Sequence, residues 1–189
     1  MKSVYSIIFF SLLAVSKNAN SQDVPTSHNP KVEIYLSPAN NKKICPDNNA
    51  LINPRMNWKL NPLKNKDINP ISNPSINPRF KPELNPSVTT SLNPLMNIGL
   101  HPTGKQWRLY YLFNKKDELV GYLTEPSQNI LLCFDMKGEW TCYYVRSSEG
   151  SYNLFDKEGT WTGDYICYDN NAGYNQFDKE ANWTGMHIK

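Results

Sequence analysis

The sequence has no apolar run long enough to cross a membrane, no Cys-x-x-Cys pair, no Gly-x-Ser-x-Gly motif and little net charge. The longest apolar stretch, Val4 to Val15, falls short of the roughly 20 residues that a membrane span needs. Without a Cys/His cluster, zinc has no ligand set, and no cofactor or metal is expected. No catalytic triad is signalled, because no nucleophile motif is present. Residues 1–21 join Lys2, the short apolar core and a small-x-small site at Ala19-Asn20-Ser21, the pattern of a secretory leader cleaved before Gln22. Lys2 and Lys17 leave with that leader, so the 20 basic side chains fall to 18 against 17 acidic ones. A net of +1 without a basic stripe excludes nucleic acid and makes dense anionic surfaces poor partners.

What is present in place of these features is repetition. From Ile52 almost every fourth residue is apolar, continuing through Met56, Leu60, Ile68, Ile76, Phe80, Leu84, Val88, Leu92, Met96 and Leu100. The next column is mostly Asn, followed by Pro at 54, 62, 70, 74, 78, 82, 86, 94 and 102. Each Pro costs about 3 kcal/mol inside a helix and removes a donor from a sheet ladder, so neither element is compatible. Asn-Pro opens a type I turn instead, with Pro fixing φ and the Asn side chain accepting from the backbone two residues on. An Asn-Pro turn-repeat array is expected over 51–102. Residues 22–50 read as a polar leader with one candidate strand at Val32–Leu36.

The tetrad resembles the Asn-Pro turn repeats of circumsporozoite surface proteins. It is still more similar to the Ile-Asn-Pro arrays of small secreted proteins from Bacteroidetes-type bacteria. Neither resemblance implies an enzymatic activity.

Beyond Gly104 proline nearly vanishes (only Pro126), and aromatic side chains crowd the stretch from 104 to 189. A second repeat superposes Phe113, Phe134, Phe155 and Phe177, then Asn114, Asp135, Asp156 and Asp178, then Trp140, Trp161 and Trp183 with Leu119. Each copy reads as a β-hairpin turned by Asp-Lys-Glu-Gly. Four copies over 103–189 give about eight short strands in an antiparallel meander. The fold class is therefore mainly β, with almost no helix after the leader.

Three constellations are candidates for chemistry. Trp140, Trp161, Trp183, Tyr143 and Tyr165 recur on the hairpins and would form a ladder of flat rings able to stack on sugars, if one face is open to solvent. The segment Tyr-x-x-Phe-Asp-x-x-Gly at 152–159 distantly resembles the wall- and glucan-binding repeats of Gram-positive surface proteins. Asp135, Asp156 and Asp178 sit where a turn needs a capping carboxylate, and a Lys beside each of Asp156 and Asp178 disfavours calcium. Cys45, Cys133, Cys142 and Cys167 are disulfide candidates in an exported chain, with Cys133–Cys142 across one hairpin and Cys45–Cys167 as the second pair. His28, His101 and His187 are scattered. The expected protein is a secreted, non-enzymatic surface or matrix protein binding glycan or protein through the hairpin face. The apolar column offers a route to self-association. A small hydrolase with an unrecognised site and an ice-contacting or purely structural array are the alternatives.

Overall fold

Short hydrogen-bonded turns, many of them opened by an Asn, make up the first half of the chain. In the computed structural model, which describes residues 29–102, 110–171 and 173–189, tight turns follow one another from Asn29 to His101. Typical closures are Met56 N to Asn53 O at 3.1 Å and Leu60 N to Asn57 O at 3.1 Å. Each Asn of this kind uses both ends of its amide. The Oδ1 of Asn53 accepts from Arg55 N, while its Nδ2 donates seven residues back to Pro46 O at 3.1 Å. Asn61, Asn69 and Asn77 repeat that reach to Pro54, Pro62 and Pro70, and Thr89 does so with its hydroxyl to Pro82. The side chains thus stitch rungs of eight residues, two turns per rung.

Residues 29–50 make the same turns. The strand expected at Val32–Leu36 is instead a 3-10 turn at Ile34–Leu36. The physical reason lies in Pro30, Pro38 and Pro46, spaced eight apart, with Ser37 and Cys45 standing where Asn stands later. The period of eight also splits the apolar column. Leu36, Ile44, Leu60, Leu84 and Leu100 are buried, whereas Met56, Phe80, Val88 and Met96 are more than half exposed.

The second half is an eight-stranded antiparallel meander, as expected, and it closes into a barrel. Its strands are β1 (Tyr110–Phe113), β2 (Leu119–Ser127), β3 (Ile130–Asp135), β4 (Trp140–Ser148), β5 (Ser151–Phe155), β6 (Trp161–Tyr168), β7 (Tyr174–Phe177) and β8 (Trp183–Ile188). Closure is by β1 on β8, with Leu112 opposite Ile188 and Phe113 opposite His187. No α-helix occurs among the described residues. The turns within the hairpins work as their residues require. Asp135 Oδ1 accepts from Lys137 N and Glu139 N, Asp178 from Glu180 N and Asn182 N, and Asn114 from Lys116 N and Glu118 N. The left-handed fourth position is Gly138 or Gly159 in two copies, Asp117 and Ala181 in the others.

Alternation gives each strand two buried faces. The lumen is filled by Leu112, Leu123, Leu131, Tyr144, Tyr152, Ile166 and Ile188. Contacts there cross between strands that are not neighbours, as where Tyr144 of β4 donates to Gln176 of β7 at 3.2 Å. The outer face carries four stacked pairs, Tyr122–Phe134, Tyr143–Phe155, Tyr165–Phe177 and His187–Phe113, with centroids 5.3 to 5.8 Å apart.

The turn segment covers that outer face. Along it, Lys31 pairs with Asp117 of the β1–β2 turn, Leu36 O accepts from Asn175 of β7, and Ile52 O from the Cys167 thiol of β6. Arg55 then reaches Glu180 O of the β7–β8 turn, and Leu60 O accepts from buried Asn153 of β5. Leu84 enters the core with Tyr122, Leu132 and Tyr143, and His101 stands edge-on to Tyr122. The contacts thus pass right around the barrel, so residues 29–102 form a collar on its outside.

Candidate functional site

The collar decides which predicted site residues can meet a ligand. Tyr143 and Tyr165 are sealed beneath it, at 0% and 1% exposure, each stacked on its Phe partner. Burial raises both phenols well above their ordinary range, so they stay protonated. They are core residues, and the expected solvent-facing ladder does not include them. The reason is that the face carrying the rings is the one the Leu column of the collar needs to cover.

The tryptophans are half-buried and bound to their own strands. Trp140 donates its indole N–H to Cys142 O at 2.8 Å, Trp161 to Asp164 O at 3.1 Å and Trp183 to Met186 O at 3.2 Å. Trp161 and Trp140 pack against the Tyr143–Phe155 core, Trp183 against Tyr165 and Phe177. Trp140 also lines a cleft of about 280 Å³ between collar and barrel. Pro86, Ser87, Asn93 and Leu95 form its collar wall, and Gly138, Glu139 and Lys157 its barrel wall. An indole with one acid, one amine and two small polar groups around it can stack a flat apolar face and hydrogen-bond its rim.

All four cysteines are free thiols in this structure. Cys133 and Cys142 do face each other on β3 and β4. Cys167 instead donates to Ile52 O at 3.5 Å, and burial pushes its thiol far up. That contact joins β6 to the collar. The described residues hold no group of three or more His, Cys, Asp or Glu side chains arranged for a metal ion.

Two features escaped sequence reasoning. The first is charge segregation beneath the near-zero total. Residues 29–102 carry nine basic and four acidic side chains, residues 110–189 seven and twelve. The second is the set of exposed apolar side chains on the collar, including Leu51, Met56, Trp58, Leu63, Phe80 and Met96. For Met56, Phe80, Val88 and Met96 the signal was the period of eight, which separates an inner from an outer apolar column. No family model, curated protein or solved structure matches the chain.

Proposed function

We propose that this is an exported, non-enzymatic binding protein of a cell surface or matrix, in which residues 29–102 act as one continuous Asn-Pro turn array and present the contact surface. The observation that carries the reading is the exposure of large apolar side chains on the collar. Leu51, Met56, Trp58, Leu63, Phe80 and Met96 are all more than half exposed, interleaved with Lys42, Lys43, Lys59 and Lys66. Scattered apolar residues are ordinary on a protein surface, but Phe80, Val88 and Met96 stand exposed at one position of three successive rungs, a concentration of the kind that marks an interaction site. The hairpin face lies under the collar, so the collar takes its place as the surface that meets a partner. The ice-contacting alternative needs a free row of Asn and Thr, and these side chains are engaged in stitching the rungs.

The test is a pull-down of the full mature chain from the organism's envelope fraction beside a Met56→Ser, Trp58→Ser, Phe80→Ser triple variant. These side chains bury little, so the variant retains its circular dichroism. Loss of every retained partner in the folded variant supports the reading, and equal retention by both proteins rules it out.

A second reading, glycan binding, moves to the Trp140 cleft, because that space is large enough for a sugar ring and bordered by polar groups. Retention on peptidoglycan or chitin that is lost in a folded Trp140→Ala protein would favour it.

A further inference from the structure

The two thiols of the second hairpin face each other, Cys133 of β3 directly opposite Cys142 of β4. Register and indole bonds place Gly121, Asp164 and Met186 where Cys142 stands, and Leu112, Leu154 and Gln176 where Cys133 stands, so no other hairpin carries a cysteine in either slot. Both cysteines thus fall in one copy and on directly opposed residues. A packing substitution in one slot has no reason to be matched by a second cysteine in its partner slot.

The surroundings of the two differ. Cys133 is buried in the lumen core among Leu123, Leu131 and Tyr144. Cys142 is partly exposed beside the bulge at the strand's start. The Lys157 charge acts on Cys142 from the following turn, and the Thr141 hydroxyl lies 3.6 Å from its sulfur. The hydrogen bond from Cys133, then Thr141 and Lys157, hold the Cys142 thiol below its ordinary range against burial. The bond to Cys142 and burial push Cys133 up.

We propose that Cys142 and Cys133 form a redox-active dithiol that exchanges with disulfides, with Cys142 as the attacking thiol and Cys133 as the resolving one. Directly opposed residues of antiparallel strands stand about 4.5–5.5 Å apart at Cα, within the span of a disulfide. The Cys142 thiolate attacks one sulfur of a disulfide RSSR, forming a Cys142–SR bond and releasing RS⁻. The Cys133 thiol, losing its proton, then attacks Cys142 sulfur and expels the second RS⁻. The sum is two protein thiols and one RSSR giving one protein disulfide and two RSH, so the protein loses two electrons and two protons. One accessible activated thiol beside a shielded partner is the arrangement such exchange requires.

The test uses the full chain and oxidised glutathione as the probe. Intact mass after equilibration should show the loss of two hydrogens, and peptide mapping should place the bond between Cys133 and Cys142. In the reduced protein, Cys142 should be alkylated at least about tenfold faster than Cys133. Cys133→Ser should stop at a glutathione adduct on Cys142. Cys142→Gly, which places there the residue that the first copy holds as Gly121, should give neither adduct nor bond at this hairpin. A wild-type protein that keeps four free thiols, or a Cys142→Gly protein that still reacts at Cys133, would overturn the proposal. So would a bond mapped to Cys45 and Cys167 alone.

Discussion

The Nε2 atom of His187 lies 4.0 Å from a carboxylate oxygen of Asp117, across the seam where β8 meets β1. Both residues depart from the repeat. His187 comes one repeat after Tyr165, in the slot that Tyr122, Tyr143 and Tyr165 fill elsewhere, and stacks on Phe113 as those stack on their Phe. Asp117 stands at the left-handed turn position that is Gly138 and Gly159 in the second and third copies. At those turns the Tyr hydroxyl fills the space beside the glycine, 3.4 Å from a Cβ at Gly138 and 3.2 Å from one at Gly159. The shorter imidazole leaves room for the Asp117 side chain, which in turn holds Lys31 at the start of the collar, at 3.0 Å. Barrel closure and collar attachment therefore meet at one polar seam.

Stability should depend on pH through this seam. Burial pulls His187 from 6.5 down to about 4, opposed by Asp117 and reinforced by Lys189 and Lys31. Between those values the unfolded chain binds a proton that the folded chain does not, so stability falls as pH drops through the window and levels off below it. The loss from this residue is at most on the order of 3 kcal/mol. Urea unfolding at pH 7 and pH 4.5 should show a smaller difference for the Asp117→Gly, His187→Tyr double variant than for wild type. An unchanged difference would remove His187 from the explanation.

Of the two glycines at the left-handed hairpin-turn position, Gly159 should be the less replaceable. Its φ is +92°, and a Cβ there would stand 2.9 Å from the Asn77 amide and 3.2 Å from the Tyr143 hydroxyl. At Gly138 the nearest atom is the flexible end of Leu95, 3.2 Å away. Either Ala variant bears the left-handed cost of about 1–2 kcal/mol, and Gly159→Ala adds a clash with the collar. Chemical denaturation should rank Gly159→Ala below Gly138→Ala; the reverse order would mean that the collar does not press on this turn.

Asn153 and Asn175 should act as collar anchors. They are buried, one repeat apart, and donate to Leu60 O at 2.8 Å and to Leu36 O at 3.0 Å, carbonyls three rungs apart. Asn153→Ala leaves the Leu60 carbonyl unpaired and should cost about 1–3 kcal/mol. Proteolysis should then cut first in residues 51–102. Cleavage first within the barrel would place the anchor elsewhere.

The legible parts of this fold are local ones. Asp135, Asp156 and Asp178 each cap the turn they belong to, so spacing alone located four hairpins and eight strands. What stayed hidden depends on distance in the chain. Closure pairs Phe113 with His187, and His187 looked isolated because it replaces a Tyr. The collar's first three rungs were masked by Ser37 and Cys45 in Asn slots. The burial of Tyr143 and Tyr165 could not be read from the hairpins, since both strand faces carry large apolar side chains and only the collar's inner Leu column shows which one is covered.

The central claim, that the collar encloses the outer aromatic face, is tested most directly by hydroxyl-radical footprinting of the full chain. Met56, Trp58, Phe80 and Met96 should react at rates near those of the urea-unfolded chain, while Tyr122, Tyr143, Tyr165 and Phe177 should be strongly protected. Unfolded-like oxidation of Tyr143 and Tyr165 in the native protein would contradict the enclosure.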